Sequence, residues 1–91
     1  NFYIKDVVEK PSIKLAPSNN AVIGRYILPK KIFLKLIKQK KGKGGEIHIT
    51  DAIRKLINEG ELFIAHTFKG KYLDCGTMSG YIKSSLEISK I

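Results

Sequence analysis

A carboxylate and an amine stand side by side at Glu9 and Lys10, directly before Pro11. Adjacent side chains of a strand point to opposite faces, but a proline forces the backbone out of the regular strand at this point. A carboxylate can accept hydrogen bonds from sugar hydroxyls, and a neighbouring lysine can neutralise a phosphate. The pair is therefore a candidate site for a phosphorylated sugar, although an ordinary polar strand end is the more common explanation of such a pair.

A second candidate is Asp51, which follows the glycine-rich segment Gly44-Gly45 and lies in the first turn of a predicted helix. A carboxylate in this position can ligate Mg²⁺ beside a phosphate, with water and other oxygens as the remaining ligands. The N-terminus of the helix also favours an anion nearby. The competing explanation is structural, because acidic residues are common in first turns, where they complement the helix dipole.

Other reactive side chains form weaker patterns. Asp74, followed by Gly76, can either bind a substrate or cap the helix that is predicted to begin near Thr77. The two histidines are 18 residues apart in sequence and share the chain with a single cysteine, which is not a zinc-binding pattern. A Cys–His nucleophile would require these side chains to meet in space, and nothing in the sequence indicates that they do.

The charge is concentrated in one block. The chain carries 17 basic and 8 acidic side chains, a net charge of +9. Residues 30–43 contain seven lysines and no acid. Such a block can attract nucleic acid or an anionic membrane, but nucleic-acid sites usually interleave arginine and aromatic residues, and this block has no arginine and only Phe33. We interpret it as a solvated lysine face followed by a flexible loop.

Four segments are predicted as strands from their apolar, aromatic and β-branched residues. They are residues 2–9, 21–28, 61–68 and 71–74, the last two joined by a hairpin-like turn at Lys69-Gly70. The near-continuous apolar run at 21–28 is typical of a central strand. Gly24 within it would weaken the strand unless a bulge or a ligand requires close approach of the backbone.

Three helices complete the predicted β, β, α, α, β, β, α order of a mixed α/β protein. Pro29 suits the first turn of the first helix, and Thr50 is a plausible N-cap for a second helix that ends at Gly60. A final amphipathic helix is predicted from Thr77 onward. The apolar face of the first helix comprises Ile32, Phe33, Leu36 and Ile37.

Length and composition limit the chain to one small domain or a piece of a larger protein. It has 91 residues, begins without methionine and opens inside a predicted strand, so we expect it to be part of a longer chain. The lone Cys75 cannot form an internal disulfide, and we find neither a secretory signal nor an apolar run of transmembrane length. These features predict a cytoplasmic protein.

Taken in order, the motifs closely resemble the bacterial UTP–glucose-1-phosphate uridylyltransferases, or UDP-glucose pyrophosphorylases. The resemblance covers the chain from about Val7 to Ile91. The motifs that carry it are Val-Glu-Lys-Pro at 8–11, Ala-Pro-Ser-Asn at 16–19, Ile-Gly-Arg-Tyr-Ile-Leu at 23–28, Gly-Gly-Glu-Ile-His-Ile-Thr-Asp-Ala-Ile at 44–53 and Leu-Asp-Cys-Gly at 73–76. Glucose-1-phosphate thymidylyltransferases look less similar at the second and third of these motifs.

The resemblance implies an α/β, mixed-sheet, Rossmann-like nucleotidyltransferase fold, of which residues 1–91 would be the C-terminal part. It implies an enzyme that couples glucose 1-phosphate to UTP with Mg²⁺, forming UDP-glucose and pyrophosphate without a covalent intermediate. By the family's pattern, Glu9 would bind glucose hydroxyls, Lys10 would bind phosphates and act in catalysis, and the backbone at Ile23 and Gly24 would contact the sugar. Asp51 would be one of two Mg²⁺-ligating aspartates.

The sequence departs from the family in what it lacks. The family's glycine-rich nucleotide-binding loop and second metal aspartate have no counterpart among these residues, so we expect residues 1–91 to hold the sugar-phosphate side of the site and to be inactive alone. Arg25, Tyr26 and Asp74 match family positions and are assigned supporting roles. We expect a homo-oligomer with neither nucleic-acid nor membrane partners. A free-standing basic nucleic-acid-binding module and an oligomerisation module built on the final helix remain as alternatives.

Overall fold

The computed structural model describes all 91 residues of the chain. Two short strands, three helices and one 3₁₀ turn make up its regular structure. In chain order they are β1 (Phe2–Tyr3), α1 (Ile32–Lys38), the 3₁₀ turn (Lys43–Gly45), α2 (Ile49–Asn58), β2 (Ile64–Ala65) and α3 (Met78–Ser89). None of the three helices combines the length and the apolar character that crossing a membrane would require.

The sheet consists of β1 and β2 alone, paired antiparallel. Phe2 lies opposite Ala65 and Tyr3 opposite Ile64. One further hydrogen bond, from the Ile4 N–H to the Phe63 carbonyl (2.8 Å), continues the pairing beyond the ladder. The strands predicted at 2–9 and 61–68 therefore exist only as these two short segments.

The central strand predicted at 21–28 is wrong for this chain. No other strand lies beside this segment, so its backbone groups have no ladder to join, and a strand without a neighbour leaves those groups to water. Gly24 has a positive φ of 25° and lies at a tight turn in which the Arg25 N–H donates to the Ile23 carbonyl (2.6 Å). The apolar run is consequently exposed up to Ile27.

The predicted hairpin around Lys69-Gly70 is also wrong. Residues 71–74 form no strand, and β2 pairs with β1 at the start of the chain instead. The strand β2 is thus paired with a segment more than 60 positions away, and the segment that follows it closely in sequence leaves its other edge unpaired.

The core lies between α1 and α2. Four hydrophobic side chains are buried there, and Leu56 is fully enclosed. Burying a side chain of this size contributes about 1.5 to 3 kcal/mol. The buried residues are Ile32, Ala52, Ile53 and Leu56, and those packed around them are Val7, Leu28, Leu36, Ile49, Ile57 and Phe63.

The predicted helix α1 is confirmed, but only part of its apolar face is covered. Ile32 is buried and Leu36 half-buried, whereas Phe33 and Ile37 are 64% and 79% exposed. Two ion pairs fasten this helix to the segment that follows α2. They join Lys31 to Glu61 and Lys35 to Glu59.

The final helix α3 is confirmed, and Thr77 is its N-cap. The Thr77 hydroxyl accepts a hydrogen bond from the Gly80 N–H (3.0 Å), which satisfies one of the free donors of the first turn. The helix rests on the segment before it, because the buried Ser84 hydroxyl donates to the Asp74 carbonyl (3.2 Å). Its apolar residues, Met78, Tyr81, Ile82, Leu86 and Ile88, are all more than half exposed.

Candidate active site

Asp51 lies in the first turn of α2, as the sequence predicts. The helix begins at Ile49, one residue before the predicted N-cap Thr50, and the N-cap residue is His48 in an extended conformation. No side chain caps this end of the helix. Asp51 is the acidic residue of the first turn, where its negative charge complements the positive end of the helix dipole.

The loop before α2 is held by hydrogen bonds rather than left flexible. The Gly42 N–H donates to the Glu46 carbonyl (2.7 Å), and the Gly45 N–H donates to the Gly42 carbonyl (3.0 Å). Gly44 and Gly45 have φ angles of 73° and 76°, which glycine adopts at little cost and other residues rarely do. The glycine-rich sequence is therefore required by the shape of this turn.

The loop packs its backbone directly against the Asp51 carboxylate. A Cβ atom added at Gly42 would lie 2.5 Å from Asp51 Oδ2, too close for any real side chain. Glycine at this position therefore leaves the space that the carboxylate occupies. Asp51 makes no ion pair and accepts no hydrogen bond, although Lys38, Lys41 and Arg54 line the same groove.

Lys10 is tied to this loop through its backbone. The ammonium group of Lys43 donates to the Lys10 carbonyl, which connects the Glu9–Lys10 segment to the turn before α2. Lys10 itself has a φ of 42°, the only positive φ among the non-glycine residues. Holding the backbone of a non-glycine residue in this left-handed region costs roughly 1 to 2 kcal/mol, and such residues are often found at functional positions. Glu9 is half-buried and Lys10 exposed.

No hydrogen bond joins Ile23 or Gly24 to the Lys10 segment or to the loop before Asp51. Both residues are exposed, and no atom lies within 4 Å of a Cβ added at Gly24. A hydrogen bond therefore joins the Lys10 segment to the loop before Asp51, and none joins the 23–24 turn to either of them. The predicted sugar contact at these two residues stays a prediction.

The residues present are compatible with a magnesium ion at Asp51, but they supply only one carboxylate. No group of three or more His, Cys, Asp or Glu side chains is close enough to form a metal site. Mg²⁺ usually keeps several waters and binds one or two carboxylates together with substrate phosphates. An unpaired carboxylate beside cationic side chains that can hold a phosphate suits this mode of binding.

Asp74 serves the start of α3. Its Oδ1 accepts from the Gly76 N–H (2.9 Å), and its carbonyl oxygen accepts from Ser84. A Cβ at Gly80 would lie 2.5 Å from that same carbonyl oxygen, so the glycine permits α3 to pack closely on residue 74. Of the two roles that the sequence suggests for Asp74, the structure shows the one at the start of α3, although the N-cap residue is Thr77.

Lys43 is the residue that sequence reasoning missed at this site. In the sequence it is one lysine of the basic block, whereas in the structure it joins the Lys10 segment to the loop before Asp51. Its position between Gly42 and Gly44 was the available signal, because a single long side chain in a glycine turn can reach a neighbouring segment without competition.

The whole chain is similar to a family of known proteins. A family model described as nucleotidyl transferase matches residues 1–91. The chain belongs to the nucleotidyl transferase family, and the predicted α/β nucleotidyltransferase fold class is confirmed.

Two similar proteins within that family carry the same name. The chain is 50% identical over 82 residues to a UTP–glucose-1-phosphate uridylyltransferase of Pseudomonas aeruginosa, covering 90% of this chain and 29% of the relative. It is 46% identical over 88 residues to the enzyme of that name from Bacillus subtilis (strain 168), covering 97% of this chain and 30% of the relative. The resemblance inferred from the motifs is therefore confirmed.

Solved structures agree with the sequence relatives. The fold matches a crystal structure of UDP-glucose pyrophosphorylase complexed with UDP-glucose with a TM-score of 0.88 at 52% identity, covering 97% of this chain and 33% of that chain. An apo structure of UDP-glucose pyrophosphorylase matches with a TM-score of 0.84. The chain spans about 30% of the length of the curated relatives it matches.

Proposed function

We propose that this chain is part of a UTP–glucose-1-phosphate uridylyltransferase and supplies the sugar-phosphate side of its active site. The observation that carries the proposal is the identity of 46 to 50% with enzymes of that name across 90 to 97% of the chain. The link from Lys43 to the Lys10 carbonyl supports it, because it joins the two segments to which we assign phosphate and metal binding.

In the reaction proposed, a phosphate oxygen of glucose 1-phosphate attacks the α-phosphorus of UTP. A bond forms between that oxygen and the α-phosphorus, the bond from the α-phosphorus to the β-phosphate breaks, and pyrophosphate leaves. The protein's part is to position the reactants and to neutralise charge. Glu9 would accept hydrogen bonds from the glucose hydroxyls, and Lys10 would neutralise the phosphate. The backbone at Ile23 and Gly24 would contact the sugar.

Asp51 would hold Mg²⁺ through a carboxylate oxygen, with water and phosphate oxygens as the other ligands. When bound, this ion would supply positive charge to the phosphates. Gly42 leaves room for the carboxylate in this position, since a Cβ there would displace Oδ2. A homo-oligomer remains our prediction for the whole enzyme. A cytoplasmic location also stays a prediction, for which the free Cys75 is the supporting feature.

A chimaera tests the proposal directly. This chain would replace the matched segment of the Pseudomonas aeruginosa relative, and pyrophosphate release from UTP and glucose 1-phosphate would be measured with Mg²⁺. We expect the chimaera to turn over and the 91-residue chain alone to release none. A folded chimaera without activity would contradict the proposal, as would appreciable turnover by the chain alone.

A salt titration separates the enzyme from the nucleic-acid-binding alternative. Binding driven by backbone phosphates weakens steeply as salt rises. We therefore expect neither RNA nor DNA to bind the chain at about 150 mM salt, an ionic strength at which exposed charges are largely screened beyond about 8 Å. Tight binding of either nucleic acid under that condition would favour the alternative, and its decline at higher salt would show that the backbone phosphates drive it.

A further inference from the structure

A polar groove lies between the end of α1 and the outer side of α2. Its volume is about 570 Å³, and none of the nine residues that line it is hydrophobic. The site described above shares only the Asp51 end of this groove, because neither Glu9 nor Lys10 lines it. The lining residues that carry positive charge are Lys38, Lys40, Lys41, Arg54 and Lys55.

The lysines of this groove are left without acidic partners. Tertiary structure divides the basic block in two, because Lys31 and Lys35 in its first half are ion-paired with glutamates. Arg54 is the only cation of the groove that has an acidic partner, Asp6, at 2.8 Å. Like charges gathered in one concave surface repel one another, and a bound anion removes that repulsion.

Two hydrogen-bond acceptors in the groove are also unused. Gln39 is only 8% exposed, and its Nε2 donates to the His48 carbonyl (2.7 Å). Its Oε1 is buried and accepts no hydrogen bond, which is costly for a buried polar atom. Because Oε1 has almost no accessible surface, a ligand in the groove can reach only the second unused acceptor, the Asp51 carboxylate. The groove therefore suits a ligand that combines several negative charges with a protonated oxygen or a coordinated water.

We propose that this groove binds a condensed phosphate, either pyrophosphate or a short linear polyphosphate. The four lysines without acidic partners and the Asp51 carboxylate leave a net charge of about +3 in the groove, more than a single phosphate neutralises, whereas a condensed phosphate carries three or more charges in a compact shape. Nucleic acid is a poorer match, because the groove has no aromatic side chain on which a base could stack. This inference shares Asp51 with the uridylyltransferase proposal, and it rests on that proposal in so far as pyrophosphate is the product of that reaction. Tripolyphosphate is neither a substrate nor a product of the reaction, so its binding tests the groove separately from the proposed function.

Calorimetric titration of the 91-residue chain tests the proposal, using orthophosphate, pyrophosphate and tripolyphosphate at about 150 mM salt. The double variant Lys38→Gln/Lys41→Gln removes two unpaired groove cations. The matched control, Lys31→Gln/Lys35→Gln, removes the same charge from the same block outside the groove. We expect the groove variant to bind tripolyphosphate at least about tenfold more weakly and the control to stay within about twofold of the unsubstituted chain. Circular dichroism checks that both variants keep the helices of the unsubstituted chain.

Four results would overturn the proposal. They are no binding of pyrophosphate or tripolyphosphate, equal loss of affinity in the two double variants, equal affinity for orthophosphate and tripolyphosphate, and tighter binding of single-stranded RNA than of tripolyphosphate. Equal losses would mean that net charge alone attracts the anion. Tighter RNA binding would make the groove a nucleic-acid surface.

Discussion

Lys10 combines two features that ordinary surface lysines lack. Its backbone is held in the left-handed region, and its carbonyl accepts a hydrogen bond from Lys43. The strain at this residue is kept in place by the surrounding contacts, which is a common arrangement at functional positions. In a regular strand the adjacent side chains of Glu9 and Lys10 would point to opposite faces of the sheet. The turn at Lys10 removes this constraint.

Lys10→Ala in the chimaera should lower turnover by roughly 10- to 100-fold, because a charge-assisted contact to phosphate is worth about 1.5 to 3 kcal/mol. The measurement is the rate of pyrophosphate release at saturating UTP. Lys14→Ala is the matched control, since Lys14 is exposed in the same connecting segment. Wild-type kinetics in the Lys10 variant would show that this residue is an ordinary surface lysine.

Asp51→Asn should raise the Mg²⁺ concentration required for half-maximal rate at least about tenfold. The substitution removes the charge that a hard cation requires. Because Asp51 accepts no hydrogen bond, and only its favourable interaction with the helix dipole is lost, stability should fall by less than about 1 kcal/mol. The two measurements are a Mg²⁺ titration of the rate and a thermal unfolding curve.

Glu46→Gln is the control for this experiment, because it removes one negative charge from the exposed loop before the same helix. Gly42→Ala is an informative companion, since it keeps the carboxylate but places a Cβ where Oδ2 now lies. A large loss of thermal stability with unchanged Mg²⁺ dependence in Asp51→Asn would assign Asp51 to helix stabilisation.

At the scale of elements, α3 is held by polar contacts rather than by its apolar face. Glu87 near its end is paired with Lys71 and lies 3.4 Å from the Lys90 ammonium. The hydrogen bond and the positive charge of Lys71 lower the pKa of Glu87 below its ordinary value of 4.5. The folded chain therefore favours the ionised carboxylate more strongly than the unfolded chain does.

This pKa shift predicts how α3 responds to acid. The stabilisation is fully present above a pH of 4.5 and is lost as the pH falls through the lower, folded-state pKa, because the unfolded chain then binds the extra proton. Glu87→Gln should remove that dependence. The Cα chemical shifts of residues 85–89, followed while the pH is lowered below 4.5, measure it. Glu59→Gln removes the acid of another ion pair and should leave the transition in place.

At the scale of the whole molecule, the chain covers too little of its own apolar surface. Its accessible area is 8053 Å², whereas a compact protein of this mass exposes about 5,300 Å². Its radius of gyration is 15.6 Å, against about 12 Å for a compact domain of this length. Twenty-three large hydrophobic side chains are exposed and only four hydrophobic residues are buried. Apolar side chains exposed in this number usually contact another protein surface where they form a contiguous patch.

The isolated chain should therefore self-associate, through the free edges of the two-stranded sheet, through the apolar face of α3, or through both. Light scattering across a concentration series at moderate salt measures this. Ile82→Lys/Leu86→Lys should reduce the apparent mass if α3 takes part, and Ser85→Lys adds charge to the same helix without removing an apolar side chain. A strict monomer at the highest concentration would show that the chain is a self-sufficient domain.

The sequence by itself determined the helices and the identity of the family. Periodic apolar residues placed α1, α2 and α3 to within a few residues, because helical hydrogen bonds are local and need no partner from elsewhere in the chain. The motifs around Lys10, Asp51 and Asp74 were sufficient to identify the nucleotidyl transferase family, because the order of several short motifs can be read directly from the sequence.

Only the tertiary structure decided the sheet and the distribution of charge. A strand requires a neighbour, so the run at 21–28 remained unpaired while Phe2 and Tyr3 paired with distant residues 64 and 65. Seven lysines that look alike in sequence were separated by the packing of α1 on α2. Lys31 and Lys35 are paired with glutamates, whereas the lysines of the block that line the groove have no acidic partner. The latter are Lys38, Lys40 and Lys41. Both outcomes depend on which side chains meet in space, which spacing along the chain does not encode.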